Sequence, residues 1–134
     1  MREKLSKENF QLVNSGMIDS VIITKKEPFT KEEMAQVSLE FQTYIKTVVD
    51  ISQKICSAGA NRHFENEVEL LKQGSEQTDL WGGGIDLETL MVDNNSIINI
   101  RPQDKNFSNE IQDPTRRTMF EDLMKYFFQI LWKN

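Results

Sequence analysis

The chain has one histidine, His63, and Glu65 and Glu67 follow it at two and four residues in "RHFENEVELL". An imidazole and two carboxylates at this spacing suit two chemistries: three ligands for zinc or manganese, or an acid–base pair. On an extended strand, residues i, i+2 and i+4 share a face at steps of about 7 Å. His63, Glu65 and Glu67 would then form a row, with Glu69 as a fourth outward acid and Phe64, Val68 and Leu70 turned inward. Direct coordination at about 2 Å needs a bend or a ligand from a second element. A solvated strand face is the plainer reading of the same row.

In "INIRP", Asn99 and Arg101 alternate with Ile98 and Ile100. That spacing places them on one face, where they could meet the acidic row. Arg101 against Glu65 or Glu67 would be a structural salt bridge or an anion clamp. The expected ligand or partner face is therefore His63, Glu65, Glu67, Asn99 and Arg101, and the expected metal set is His63, Glu65 and Glu67.

Other chemistries lack parts. "HFE" has the His-x-Glu of zinc deaminases, but no Pro-Cys-x-x-Cys accompanies it. Cys56 is the only cysteine, which excludes an intrachain disulfide and a CxxC motif and favours a reducing cytoplasm. "WGGG" has no lysine and helix behind it, so it is a turn or bulge rather than a phosphate loop.

At 134 residues, 38% hydrophobic and 28% charged, the chain has the size and balance of one folded domain. Its net charge is -5, and residues 61 to 93 hold eight acids against Arg62 and Lys72. Nucleic acids and anionic membranes want clustered Lys and Arg, so neither is an expected partner. No stretch reaches the roughly 18 apolar residues of a membrane span, and the N-terminus lacks a secretory h-region.

Several elements must position these groups. "FTKEEM" carries a capping box, Thr30 with Glu33, and a hydrophobic staple, Phe29 with Met34. Met34, Val37, Phe41, Tyr44, Ile45, Val48 and Ile55 follow at three- and four-residue steps, which predicts one long helix closing near Gly59. "DPTRR" predicts a second helix, capped by Asp113 with Pro114 in its first turn, whose inward residues are Phe120, Leu123, Met124, Phe127, Phe128 and Leu131. Phe128 or Trp132 could instead protrude and anchor another subunit. Between the helices the period falls to two. "RHFENEVELL", "QTDLWG", "ETLMV" and "SIINIRP" read as strands, with "DNNS" as a hairpin turn and "DSVIIT" as an earlier strand. Connections this short exclude helical crossovers. The expected fold is α+β, a small antiparallel sheet packed on one face by two helices. Residues 1–20 form an N-terminal extension with a short helix in "SKENFQLVNSG", and residues 21–134 form a single α+β domain.

Four motifs, "YIKTVVDI", "HFENEVELLKQGSEQTDLWG", "INIRP" and "NFSNEIQDPTRR", resemble in order and spacing a family of short bacterial and archaeal proteins known only as a domain of unknown function. The resemblance covers about residues 22 to 131. The family pattern has His-x-Asp-x-Glu where this chain has His63, Glu65 and Glu67, then Leu-Leu, Gly-Ser, Gln and Trp-Gly, here Leu70, Leu71, Gly74, Ser75, Gln77, Trp81 and Gly82. Glu65 replaces the Asp, and the glycine-rich lead-in is reduced to "AGANR". The resemblance implies no reaction. The functional expectation is a small cytoplasmic binding or interaction module, homo-oligomeric, with no cofactor beyond a divalent metal. The alternative is a metal-dependent hydrolase using His63, Glu65 and Glu67.

Overall fold

The computed structural model describes residues 10–14, 19–38 and 43–133. Its sheet has six strands: β1 Phe10–Asn14, β2 Asp19–Lys25, β3 Tyr44–Asp50, β4 Ile55–Ala58, β5 Leu80–Asp86 and β6 Met91–Asp93. They lie in the order β1-β2-β4-β3-β5-β6, and every neighbouring pair is antiparallel. Three α-helices complete the fold, α1 Lys31–Val37, α2 His63–Lys72 and α3 Pro114–Phe127. The class is α+β, as the short connections predict.

Two helices share one face of the sheet. Met34 and Val37 of α1 and Phe120, Met124 and Phe127 of α3 pack with Ile23, Ile45, Val49, Cys56, Trp81 and Ile85 in one dry cluster. Phe128 is buried there too and stacks on Phe29 with ring centroids 4.9 Å apart, while Trp132 is exposed. Both helix starts follow from local chemistry. Thr30 and Glu33 exchange the two bonds of a capping box, and Asp113 accepts from the Arg116 amide. Glu33 is buried and meets Lys25 at 3.0 Å.

The expected long helix from Thr30 to Gly59 is instead α1 followed by the hairpin of β3 and β4. "YIKTVVDI" is rich in β-branched residues, which lose χ1 freedom in a helix and pack well on a pleated surface. Asp50 then fixes the turn. Its buried carboxylate accepts from the amides of Ser52 and Gln53, the Gln53 side chain and, at 2.6 Å, Ser75 Oγ. Lys54 takes a left-handed conformation before β4 begins.

The opposite correction applies to "RHFENEVELL", which is α2 and not a strand. His63, Asn66, Glu67 and Leu70 fall at i, i+3, i+4 and i+7, so the helical period was present beneath the alternation. Gly74, at φ +101°, ends the helix in a Schellman motif: the Ser75 amide donates to Leu70 and the Gly74 amide to Leu71. "SIINIRP" is likewise no strand. It forms two 3-10 turns, Ile97–Asn99 and Pro102–Asp104. Of "ETLMV", only Met91 and Val92 join β6, and the hairpin turn precedes them with Leu90 at φ 61°. "DNNS" leads instead to Ser96, which caps the next turn through the Ile98 amide. In "SKENFQLVNSG", Phe10–Asn14 is strand β1, and Ser6 and Gly16 lie outside the described residues.

Gly82, Gly83 and Gly84 are neither turn nor bulge but the middle of β5. A Cβ at Gly82 would collide with Ser96, one at Gly83 with the Phe120 ring, and one at Gly84 with the Tyr44 phenol. Bare backbone here admits neighbours from both faces.

Candidate functional site

α2 covers the face of the sheet opposite α1 and α3. Its apolar contribution is small: Leu70 joins Val48, Ile55 and Leu80, with Ile98 at the edge. The rest of its inward side is polar. Asn66 is fully buried, accepting from Ser57 Oγ at 3.2 Å and donating to the Lys46 carbonyl. Glu67 is buried and accepts from Gln77 Nε2 at 3.2 Å. His63, in the first turn, places Nε2 2.7 Å from the carbonyl oxygen of Gly83. That oxygen can only accept, so Nε2 carries the proton. Nδ1 is then the lone-pair nitrogen of a neutral ring, and it has no hydrogen-bond partner among the described residues.

Burial pushes the His63 pKa below the ordinary value of 6.5, and Lys46 pushes the same way. The bond to Gly83 and the charge of Asp93 oppose the shift without cancelling it. Asp93 is itself held by Tyr44, whose hydroxyl donates toward both carboxylate oxygens at 3.0 and 2.9 Å. Burial first, then that hydrogen bond, raise the phenol pKa well above its usual range. Lys46, one step along β3 from Tyr44 on the same side, has its ammonium 5.9 Å from the Tyr44 ring centre. Among the described residues no carboxylate lies within ion-pair distance of Lys46 or Arg62. Lys46, Asn61, Arg62, His63, Phe64 and Ile97 line a surface cavity of about 380 Å³.

The expected site is thus divided. Glu65 does not join His63, because its carboxylate accepts from the Arg62 amide and caps α2. Glu67 turns toward Arg101, at 4.0 Å, but Arg101 has a closer acid in Asp104 at 3.1 Å. Arg101 also donates to the Gln77 carbonyl and lies 4.0 Å from the Trp81 ring centre, with Arg116 at 4.4 Å from the same ring. This is a structural clamp. Burial lowers its pKa, against the pull of Asp104 and Glu67. Asn99 is fully buried and serves backbone, accepting from the Gly82 amide and donating to the carbonyls of Gly82, Asn94 and Asn109. Among the described residues no group of three or more His, Cys, Asp or Glu is placed to hold a metal ion. The row of His63, Glu65 and Glu67 required a strand; on the helix Glu65 leaves the face that His63 and Glu67 share, and Glu67 is turned to Gln77 and Arg101.

Lys46, Tyr44 and Asn66 were hidden from the sequence reading, because the first two fell inside the expected long helix and Asn66 on the wrong strand face. Their signal was the alternation of Tyr44, Lys46, Val48 and Asp50 against Ile45, Thr47 and Val49.

An antiparallel sheet, dry on one face and bearing a polar helix and a cavity on the other, makes an α+β scaffold. The chain belongs to the family described as Protein of unknown function (DUF5674), which it matches over residues 21–127. No curated protein and no solved structure matched it. Among the described residues, no helix is long and apolar enough to cross a membrane.

Proposed function

We propose that this protein is a binding module whose ligand is a small anion, a phosphate ester or carboxylate, held in the cavity between β3 and the start of α2. One observation carries the reading: Lys46, a half-buried cation with no carboxylate partner among the described residues, lines the same 380 Å³ cavity as Arg62 and the neutral His63. An unpaired ammonium beside low-dielectric walls favours an anion more strongly than it would in open water. His63 Nδ1 can accept one hydrogen bond from a ligand hydroxyl, and Phe64 and Ile97 offer apolar surface to the ligand body. Tyr44 and Asp93 act as positioning residues at the back of this group.

His63 is the only histidine, so its imidazole resonances report on the cavity without assignment ambiguity. Titration with inorganic phosphate, a set of phosphate monoesters and a set of short carboxylates should move them saturably for at least one class. Lys46→Met should abolish that movement while leaving stability within about 1 kcal/mol of the parent. If every probe leaves the His63 signals unmoved at about 10 mM, a ceiling corresponding to less than roughly 3 kcal/mol of binding, the reading is wrong. A response that persists unchanged in Lys46→Met would equally remove it.

A further inference from the structure

α2 is amphipathic in the unusual sense. His63, Asn66 and Glu67 face the sheet, and Phe64, Val68 and Leu71 are 45%, 41% and 40% exposed at i, i+4 and i+7 on the outside. Ile97, 75% exposed, extends this strip across the cavity that it and Phe64 both line. A helix normally turns such a stripe inward. Here most inward positions are occupied by groups that bond the sheet, and among the described residues no element covers the stripe.

We propose that the outer stripe of α2 is the contact between two copies of this chain, paired antiparallel about a two-fold axis. The charges beside the stripe select this occupant. Glu65 and Lys72 lie seven residues apart and so on the same flank. An axis passing between Val68 and Glu69 brings Glu65 of one copy level with Lys72 of the other, twice. The same axis sets Phe64 within about 3 Å of Leu71 of the second copy along the helices and the two Val68 within about 1.5 Å of each other. An isologous contact needs a self-complementary patch, and this one has it. The helix is only ten residues long, so the contact is smaller than the roughly 800 Å² per partner of a standard interface, and the dimer should form at micromolar concentration. The inference does not depend on the anion site.

Sedimentation equilibrium of the full chain tests it. The parent should be dimeric with a dissociation constant on the order of 10 µM. Val68→Asp should weaken the dimer by at least about 30-fold, and Lys72→Glu, which sets acid against acid, by a smaller factor. Circular dichroism melts of both variants show whether the fold is kept. Geometry is read independently by cysteine pairing under mild oxidation with glutathione disulfide. Val68→Cys should form an interchain disulfide, because the two copies of this residue meet at the axis. Phe64→Cys alone should not, since its two copies are about 13 Å apart along the helices, whereas a mixture of Phe64→Cys and Leu71→Cys should. A parent that stays monomeric at about 100 µM overturns the proposal. So does a dimer in which Val68→Cys fails to link or Phe64→Cys links to itself.

Discussion

The two faces of this sheet are built by different rules. Among the described residues the face under α1 and α3 buries fifteen in one apolar cluster, whereas the face under α2 has four, set among His63, Asn66, Glu67, Asp50, Ser57 and Asn99. Dry packing is non-directional and tolerates many hydrophobic solutions of similar volume. Hydrogen-bonded packing is directional, and each group left unpaired costs what its desolvation costs. The comparison suggests that the dry face supplies most of the stability, while the polar face fixes the position of α2 and, with it, the cavity.

The largest effects should come from the dry face. Phe120→Ala removes a fully buried ring that lies against Gly83 and should cost about 3–5 kcal/mol in urea unfolding. A loss below about 1 kcal/mol would show that this face is not the main source of stability. On the polar face, Asn99→Ala leaves the Gly82 amide and several carbonyls without their partner and should cost about 2–3 kcal/mol. Asn99→Leu should do no better despite its larger apolar volume, which separates a hydrogen-bonding role from a filling role.

A smaller effect is expected from pH. The native His63 titrates below 6.5, so between its native value and 6.5 the unfolded chain binds more protons than the folded one. Its contribution to stability is therefore full above about pH 6.5 and declines as the pH falls toward the native value. The stability difference between about pH 7.5 and about pH 5.5 should be larger in the parent than in His63→Gln. Equal differences would show that the ring is not held neutral by its site. The smallest change belongs to the outer surface: Lys72→Ala removes a 3.6 Å ion pair with Glu69 whose ammonium is largely solvated, and monomer stability should move by less than about 0.5 kcal/mol.

The sequence revealed the fold class and the helix starts more clearly than the polar face. Caps are local: Thr30 with Glu33 and Asp113 with Pro114 act within four residues, so they can be read without knowing the rest of the fold. Periodicity was less decisive, because two segments fit both periods. In "YIKTVVDI" the β-branched run should have outweighed the helical spacing of Tyr44, Ile45 and Val48. In "RHFENEVELL" the strong helix formers Glu and Leu should have outweighed the alternation. The spacing drew attention to His63 but not to the residues around it, since Lys46 reaches it only after β3 and α2 pack. The role of Asn99 was not legible. It serves the backbone of an irregular loop, and such bonds leave no periodic trace.

Cys56 lies on the dry face in β4, fully buried between β2 and β3, and burial alone raises its thiol far above the usual range. No thiol reagent can reach it while the strands remain paired. Its reaction with an excess of reagent therefore keeps time for the opening of the sheet, and the dependence of that rate on reagent concentration distinguishes rare openings that reclose from those that do not. The chain thus carries a single-residue clock for its own unfolding, one that can be read at neutral pH without denaturant.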